Sequence, residues 1–526
     1  MLLKSFSLKV VWIVGVALSV APLGQAKAEE SAPSEVAKAI SQYRQAHERD
    51  ILLEFLDFLR LPNYSENRDD IRRNAKHIVA MLTRRGITAR VLDASKGAPA
   101  VYGELTVPGA KTTVLFYAHY DGQPVVPENW NSNPYEPVLR TGYLNRGGKV
   151  VEFDKVAFPI DPELRIFARS TSDDKAAVIG ILSALDALRA NGIKPSVNMK
   201  FFFEGEEERG SPNLDVMLSE YGHLLTSDVL LFCDGPVHQS GRKKLSFGVR
   251  GPVGFDVTVY GPDRPLHSGH YGNYAPNPIV MLAHLIASMR DENSRVLIDG
   301  FYDAVIPPTK AELAAIAGLP RIDKQLHREL AIGRQESQGV RYQEALLWPA
   351  LNLKGIRAGE VGSASRNAIV TTATAAFGYR MVPNQTPKLL KKLTEDHIRA
   401  QGYYVVRKDP SEETRRQHPK VAKVTWTDYG YGAVRTAVDH PASQALIGIM
   451  KDLGYKDLIL VPSSGGSLPI WYFKEVLDVP LIMLPIANYD NNQHAENENI
   501  RIRNLWEGIE IYGAIIAEYG HRYKSR

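Results

Sequence analysis

Short apolar segments alternate with helical patterns through the first half of the chain, and this alternation constrains the fold most strongly. The segment Thr113–Ala118 is apolar almost throughout, as expected for a strand buried on both faces of a sheet. A helical pattern follows from Asp174 to Ala190, and a second apolar segment covers Asn198–Phe203. Strands that alternate with helices in this way indicate an α/β fold with a mixed, mainly parallel sheet.

The pattern changes in the middle of the chain. Phe247–Tyr260 and Thr371–Val382 alternate apolar and polar residues, as half-buried strands do, and helical patterns follow at Asn277–Met289 and Thr386–Gln401. The α/β character returns toward the carboxyl end, so the sequence predicts an α/β domain split by an inserted α+β domain. The predicted boundaries are residues 1–28 for a signal peptide, 29–245 and 431–526 for the two parts of the α/β domain, and 246–430 for the insertion.

The amino terminus has the features of an export signal. Lys4 and Lys9 precede an apolar run at Val10–Ala21, and Ala26-Lys27-Ala28 has the small-x-small pattern of a cleavage site. We therefore expect cleavage after Ala28 and a periplasmic or secreted protein. The apolar run is short for a membrane-spanning helix, although an uncleaved anchor is an alternative.

Charge and cysteine content exclude some classes of protein. The chain has 526 residues with 63 basic and 59 acidic side chains, and loss of residues 1–28 would remove three lysines and no acid. A mature chain with 60 basic and 59 acidic residues has no surplus of positive charge for nucleic acid or an anionic membrane, so neither is expected as a partner. The single cysteine, Cys233, allows no internal disulfide, so packing must stabilise the fold.

Five segments place metal-binding side chains at the carboxyl end of an apolar strand or in the loop after it. Open α/β sheets bind their ligands at that edge. The candidate ligands are His119, Asp173, Glu208, Asp234 and His494. Each segment also has a structural alternative by itself: Asp173 and Asp174, for example, could simply cap the helix that follows them.

The acidic segment Glu204–Glu208 is the least easily explained by structure alone. Its four carboxylates directly follow the apolar Phe201–Phe203, where a solvated acidic loop would be unusual, and they repel one another unless cations are present. Two histidines and three carboxylates form a nitrogen and oxygen donor set that suits zinc, and they can hold two ions if one carboxylate bridges. A further carboxylate that binds no metal could then transfer a proton from water to a leaving amine.

In their order along the chain, from about residue 40 to the carboxyl terminus, these motifs resemble the two-zinc metallopeptidases. That family includes carnosinases, non-specific dipeptidases, aminoacylases, desuccinylases and glutamate carboxypeptidases. The resemblance implies a zinc-hydrolase catalytic domain split by a lid and dimerisation domain, and two Zn²⁺ per subunit, which Mn²⁺ or Co²⁺ could replace. It implies that His119 and Asp234 hold one ion, that Glu208 and His494 hold the other, and that Asp173 bridges them with a cis peptide bond after it.

The resemblance also implies roles for residues that do not bind the metals. Glu207 matches the family's general base, and Asp121 matches the carboxylate that orients the first histidine. His267, in the segment Leu266–Gly269, matches a histidine that stabilises the reaction's oxyanion in the partner subunit's site. A homodimer is therefore expected.

Four further residues match substrate contacts of the family. Arg380 corresponds to an arginine that holds the substrate carboxylate, for which a planar guanidinium is suited, and Asn367 corresponds to a small polar contact. Gly466 and Ser467 belong to a glycine-rich turn implied to bind the carboxyl end of the substrate. An ordinary turn between a strand and a helix is the alternative for that segment.

Two details favour the carnosinase and non-specific dipeptidase branch. The segment Gly300–Asp303, with Trp348 and Gly355 downstream, resembles an insertion of that branch, and Asp234 is typical of members that act at free amino ends. Both favour a hydrolase of dipeptides or small peptides. Ser463-Ser464, however, stand where the branch usually has Arg-Glu, which leaves the substrate preference open. An N-acyl-amino-acid deacylase and an exported binding protein without activity are the alternatives.

Overall fold

The computed structural model describes residues 35–523. The expected signal peptide and its cleavage site lie outside these residues. Among residues 35–523, no helix combines the length and the apolar character needed to cross a membrane. The helices are α1 (Glu35–Ala46), α2 (Glu48–Leu59), α3 (Arg68–Thr83), α4 (Lys175–Ala190), α5 (Leu214–Tyr221), α6 (Ser268–Tyr271), α7 (Pro278–Met289), α8 (Lys310–Ala317), α9 (Asp323–Glu329), α10 (Tyr342–Ala345), α11 (Pro387–Ala400), α12 (Glu412–Gln417), α13 (Pro441–Asp452), α14 (Trp471–Leu477) and α15 (Ile502–Arg522).

The strands form two large sheets and several small ones. They are β1 (Thr88–Leu92), β2 (Ala100–Leu105), β3 (Thr112–His119), β4 (Val138–Arg140), β5 (Val150–Val151), β6 (Arg165–Phe167), β7 (Val197–Glu204), β8 (Val229–Phe232), β9 (Lys244–Ser246), β10 (Gly248–Val249), β11 (Gly251–Tyr260), β12 (Leu266–His267), β13 (Ala350–Arg357), β14 (Ala368–Ile369), β15 (Thr372–Met381), β16 (Tyr404–Val406), β17 (Val421–Gly430), β18 (Val434–Arg435), β19 (Ile459–Val461), β20 (Leu481–Met483) and β21 (Asn499–Arg501).

An eight-stranded sheet forms the centre of the α/β part, in the order β1-β2-β7-β3-β8-β20-β9-β19. Its middle strands β7, β3, β8 and β20 are parallel, as are β9 and β19, whereas β1, β2 and the β20–β9 contact are antiparallel. The predicted mixed, mainly parallel sheet is therefore confirmed. The central strands are buried because they are apolar on both faces, and helices cover them.

Helices α4 and α15 pack closely against each other and against the sheet. Nearly every residue of α4 is buried, which matches its apolar sequence. Gly513 of α15 lets α1 approach, since a Cβ atom there would lie only 2.5 Å from Ile40 Cδ1. α4 also contacts β3, the central strand that ends at His119.

A five-stranded sheet with its own apolar core lies within the range predicted for the insertion. Its order is β13-β15-β11-β17-β16, and stacked rings such as Phe255 and Phe377 fill its core beneath α7. Strand β13 is an edge strand, and most of its residues are exposed. The domain boundaries drawn from the sequence stay a prediction.

One segment from the middle of the chain packs on the α/β part instead. Ile316, Leu319 and Leu347 form a small core with Ile459 of the edge strand β19. Glu312 of α8 and Arg435 of β18 form a buried ion pair at 3.2 Å, which fixes this segment to the small β10–β18 sheet. We call residues 305–349 the flanking segment.

Candidate metal centre and active site

The predicted metal ligands all lie at one edge of the central sheet. His119 is the last residue of β3, Asp234 follows β8 by two residues, and Glu208 follows β7. Asp173 lies just before α4, and His494 lies in the loop between β20 and β21. Because β3, β7 and β8 are parallel, their carboxyl ends meet, and the loops before α4 and β21 complete the ring.

The structure brings these five side chains together as two groups that share Asp173. In the first group, His119 Nε2 lies 2.9 Å from Asp173 Oδ1 and 3.9 Å from Asp234 Oδ1. In the second, His494 Nε2 lies 3.3 Å from Asp173 Oδ2 and 3.1 Å from Glu208 Oε2. Each oxygen of Asp173 thus faces one histidine, which is the arrangement that a bridging carboxylate requires.

The charges in this cluster do not balance without cations. Burial raises the pKa of Asp234 to about 7, and the charge of Asp173 adds to the effect. Hydrogen bonds to Asp173 and Glu208 raise the pKa of His494 to about 10. Burial alone would raise the pKa of Asp173, but hydrogen bonds from His119 and His494 outweigh it and hold that pKa below its usual range.

The donor atoms fit metal ions. Asp173 Oδ2 is buried, and the group that faces it is the ring of His494, whose Nε2 lies 3.3 Å away. In each group the three donor atoms lie within 4.8 Å of one another. Two imidazoles and three carboxylates suit divalent zinc, and no thiolate takes part. The residues present therefore fit two ions bridged by Asp173.

Asp121 supports three functional residues at once. Its Oδ1 and Oδ2 each accept a backbone N–H at 3.1 Å, from Glu207 and Glu208 respectively. His119 Nδ1 lies 3.3 Å from Asp121 Oδ1 and 3.2 Å from its carbonyl oxygen. Asp121 thus orients the histidine ring and positions the acidic loop beside it, which extends the role expected for it.

The four acids of the Glu204–Glu208 segment have separate roles. Glu204 is buried and accepts a hydrogen bond from Tyr117 Oη at 2.7 Å. Glu206 accepts the backbone N–H groups of Ala98 and Asn213, both at 3.0 Å, and so holds neighbouring loops. Only Glu207 and Glu208 face the metal cluster. Burial raises the pKa of Glu207 well above its usual range, against the opposing charge of His119.

Glu498 is a buried residue whose role the sequence did not reveal. Its carboxylate accepts backbone N–H groups of Ser170, Ser172 and Asp173 at 2.8 to 3.0 Å, and the Arg169 guanidinium at 2.9 Å. These bonds fix the loop that carries the bridging carboxylate. Glu498 ends the motif that contains His494, but only the fold shows that it reaches back to this loop. The Asp173–Asp174 peptide bond is cis, as the resemblance implied.

The predicted contacts for the substrate carboxylate also come together. Arg380 Nη1 of β15 donates to Ser467 Oγ at 2.6 Å, which joins the five-stranded sheet to the glycine-rich turn that also contains Gly466. Tyr431 lies near both Glu207 and Arg380, whose charges act on it, and burial raises its pKa to about 12. Tyr431 was missed because a lone tyrosine carries no signal in the sequence.

His267 and Asn367 lie side by side at the surface of the inserted part. β12 pairs with β14 so that His267 faces Ala368, and Ser268 N donates to Asn367 O at 2.9 Å. Both residues are exposed. Within residues 35–523, neither forms a hydrogen bond or ion pair with the five ligands of its own chain.

Comparison with known proteins agrees with this geometry. A family model described as peptidase family M20/M25/M40 matches residues 115–518, which include all five ligands. The chain belongs to this peptidase family. The Cys-Gly metallodipeptidase dug1 of Schizosaccharomyces pombe is 25% identical over 426 residues, covering 80% of this chain and 82% of that protein. The Beta-Ala-His dipeptidase of Mus musculus is 26% identical over 438 residues, covering 81% of each chain.

A solved structure supports the same assignment. The M20 family metallo-carboxypeptidase Sso-CP2 from Sulfolobus solfataricus aligns with a TM-score of 0.66 and 26% identity, covering 90% of this chain and 99% of that one. The predicted family and α/β fold class are therefore confirmed, and the protein is a metallopeptidase-family enzyme.

Replacing Asp121 by Asn tests its positioning role. The amide keeps the size of the carboxylate but can accept only one of the two backbone N–H groups, so His119 and the acidic loop lose their orientation. We expect metal affinity or kcat/KM to fall about 10- to 100-fold, measured by zinc titration and peptide hydrolysis. Asp256→Asn, at an exposed position on β11, is the matched control and should change neither. Unchanged values for Asp121→Asn would contradict the role.

Proposed function

We propose that the protein is a two-zinc dipeptidase that hydrolyses the amide bond of dipeptides or small peptides. The observation that carries this proposal is the pair of donor groups that share Asp173, with Glu207 held beside them by Asp121. The names of the two curated relatives, both dipeptidases, support the substrate class.

One set of side chains acts at the scissile bond of the substrate, and another binds its carboxylate. Bound zinc ions would supply Lewis acidity, polarising the scissile carbonyl and lowering the pKa of a water. Glu207 would accept a proton from that water and pass it to the leaving amine. Arg380 and Ser467 would bind the substrate carboxylate.

Glu207→Gln separates metal binding from catalysis. The amide cannot carry the proton, so kcat should fall about 100- to 10,000-fold while two zinc ions per chain remain bound. Mass spectrometry of the metal content and hydrolysis of free-amine dipeptides measure the two effects. Glu496→Gln is the matched control, because Glu496 is exposed and belongs to neither donor group.

The same assay includes N-acetyl and N-succinyl amino acids. Turnover of these compounds in place of free-amine dipeptides would identify a deacylase. Turnover of neither class, with fewer than two metals bound, would identify a binding protein. Full activity of Glu207→Gln would exclude the assigned base.

We also propose a homodimer in which His267 serves the partner subunit's site. The edge strand β13 exposes Ile356, and α7 exposes Ile279 and Val280, so apolar groups lie on the outside of the five-stranded sheet. Gly359, two residues after β13, lies close to Ile279, since a Cβ there would be 3.6 Å from Ile279 Cδ1. His267 is exposed and lies outside the metal cluster, as a residue that acts in another subunit must.

Mixing two inactive variants tests this arrangement. Glu207→Gln lacks the base but keeps His267, whereas His267→Ala keeps the base. If His267 acts across the interface, half of the reassembled dimers contain one complete site, and activity should return to about a quarter of the wild-type value. The control is each variant denatured and refolded alone. If the mixture shows no recovery although sedimentation shows dimers, His267 does not act in the partner's site.

We further propose that the protein is exported and cleaved after Ala28. The basic residues, the apolar run and the small-x-small site near the amino terminus support this. Sequencing the amino terminus of the protein made in a bacterial host should give Glu29. Lys27→Ala keeps both small residues and should be cleaved at the same bond, whereas the double variant Ala26→Arg/Ala28→Arg should not. A mature protein that begins at Met1 would contradict the proposal.

A further inference from the structure

Arg250 lies against the glycine-rich turn and takes no part in the steps assigned to Glu207, Arg380 and Ser467. It joins β10 to β11, and its backbone N–H donates to Gly466 O at 3.2 Å. Its Nη2 and Nε lie 3.3 and 3.4 Å from Gly465 O. The guanidinium is therefore held beside the turn that carries Ser467.

Arg250 and Arg380 converge on this turn from neighbouring strands. β11 and β15 are antiparallel, with Pro252 opposite Arg380. Arg250 directly precedes β11, two residues before Pro252, and the charge of Arg380 acts on its guanidinium. Arg380 donates to Ser467 Oγ, and Arg250 to the carbonyl two residues earlier.

Neither guanidinium has an acidic partner. Both side chains are half-buried, and within residues 35–523 neither forms an ion pair. Burial and the charge of Arg380 lower the pKa of Arg250. Other buried guanidiniums in the chain are paired, for example Arg85 with Glu54 and Arg169 with Glu498. Two half-buried guanidiniums close together destabilise the fold unless anions pair with them. The α-carboxylate of a substrate would pair with Arg380 and leave Arg250 without an anion.

A third cation lines the cavity next to this turn. The cavity has a volume of about 920 Å³ and lies between the flanking segment and the residues Ser463–Gly465. Gly465 is at its rim, since a Cβ there would meet Leu346 at 3.3 Å and Arg250 Nη2 at 3.8 Å. Lys244 also lines the cavity, is half-buried, and forms no hydrogen bond or ion pair through its side chain with any described residue.

Two acids lie near this cavity: Asp234, whose charge acts on Lys244 without forming an ion pair with it, and Glu329 in the wall. Glu329 is exposed and accepts a hydrogen bond from Gln325 Nε2 at 2.6 Å. Ser463 and Ser464 also line the cavity and carry hydroxyl groups. The inner wall therefore carries positive charge and small donors, which suit a carboxylate.

We propose that Arg250 and Lys244 form a second carboxylate subsite, so that the preferred substrates are dipeptides whose carboxyl-terminal residue is aspartate or glutamate. This inference rests on the proposed dipeptidase function. Arg380 and Ser467 bind the α-carboxylate, and Arg250 binds the side-chain carboxylate at the rim of the cavity. Lys244 adds positive charge deeper in the cavity.

The test compares substrates that differ in one charge. The zinc-loaded enzyme should have a kcat/KM for Ala-Glu at least about 10-fold higher than for Ala-Gln, because a charged hydrogen bond replaces a neutral one. Arg250→Met should bring this ratio close to one, mainly through KM, and Lys244→Met should lower it by a smaller factor. Arg321→Met, an exposed arginine of the flanking segment, is the matched control and should leave the ratio unchanged.

Binding to the Glu207→Gln protein gives the same comparison without turnover. Calorimetry should show tighter binding of Ala-Glu than of Ala-Gln. This measurement does not require a folded Arg250 variant, because the Glu207→Gln protein retains Arg250. Equal kcat/KM values for the two dipeptides, or a ratio that survives Arg250→Met, would overturn the subsite while leaving the dipeptidase function intact. Failure to cleave any dipeptide, with Ala-Glu still bound more tightly, would overturn the dipeptidase function and leave the subsite standing.

Discussion

The position of Asp173 is the constraint on which the active site depends. Its two oxygens face two histidines that come from distant parts of the chain, one at the end of β3 and the other in the loop before β21. The cluster also buries two further carboxylates, so it has more negative charge than its histidines can balance. The surrounding fold must hold this repulsive arrangement until cations enter it. Glu498 and Asp121 do so through hydrogen bonds to backbone N–H groups on either side of the site.

Bonds to the backbone suit this task for a physical reason. A carboxylate that accepts backbone N–H groups holds the backbone of a loop directly, independently of the loop's side chains. The negative charge of the carboxylate strengthens each hydrogen bond. Glu206 acts in the same way on the loops around Ala98 and Asn213. Acids beside the metal ligands therefore serve as scaffold, which explains why so many carboxylates are concentrated at one edge of the sheet.

The sequence predicted those parts of the structure whose signal is local. Continuous apolar runs identified β3, β7 and β8, and the polar residues after them identified the ligands. The small sheet β21-β6-β4-β5 was missed because its strands have only two or three residues, too few for any periodicity. The packing of the flanking segment on β19 was missed because it depends on contacts between residues more than 100 positions apart, such as Ile316 and Ile459.

Individual roles within a motif were also beyond the sequence. Glu206 and Glu207 are adjacent and chemically alike, and only the loop geometry turns one toward Ala98 and the other toward the metals. The same holds for Arg250, which looks like an ordinary residue until the fold places it beside the turn that Arg380 also contacts. Residues that act through a partner far along the chain become visible only when the fold brings the partner to them.

The two ends of the active site have opposite electrostatic character, and this separation has a mechanistic meaning. Carboxylates dominate the metal end, whereas Arg380 and Arg250 lie at the glycine-rich turn. A dipeptide has its own charges in the same order, a free amine at one end and a carboxylate at the other. Such a field favours one orientation of the substrate before any specific contact forms, and it disfavours compounds whose amino end is capped by a negatively charged group. The unpaired cations at the carboxylate end thus contribute to orientation as well as to affinity, which is a reason for the chain to leave them without acidic partners of its own.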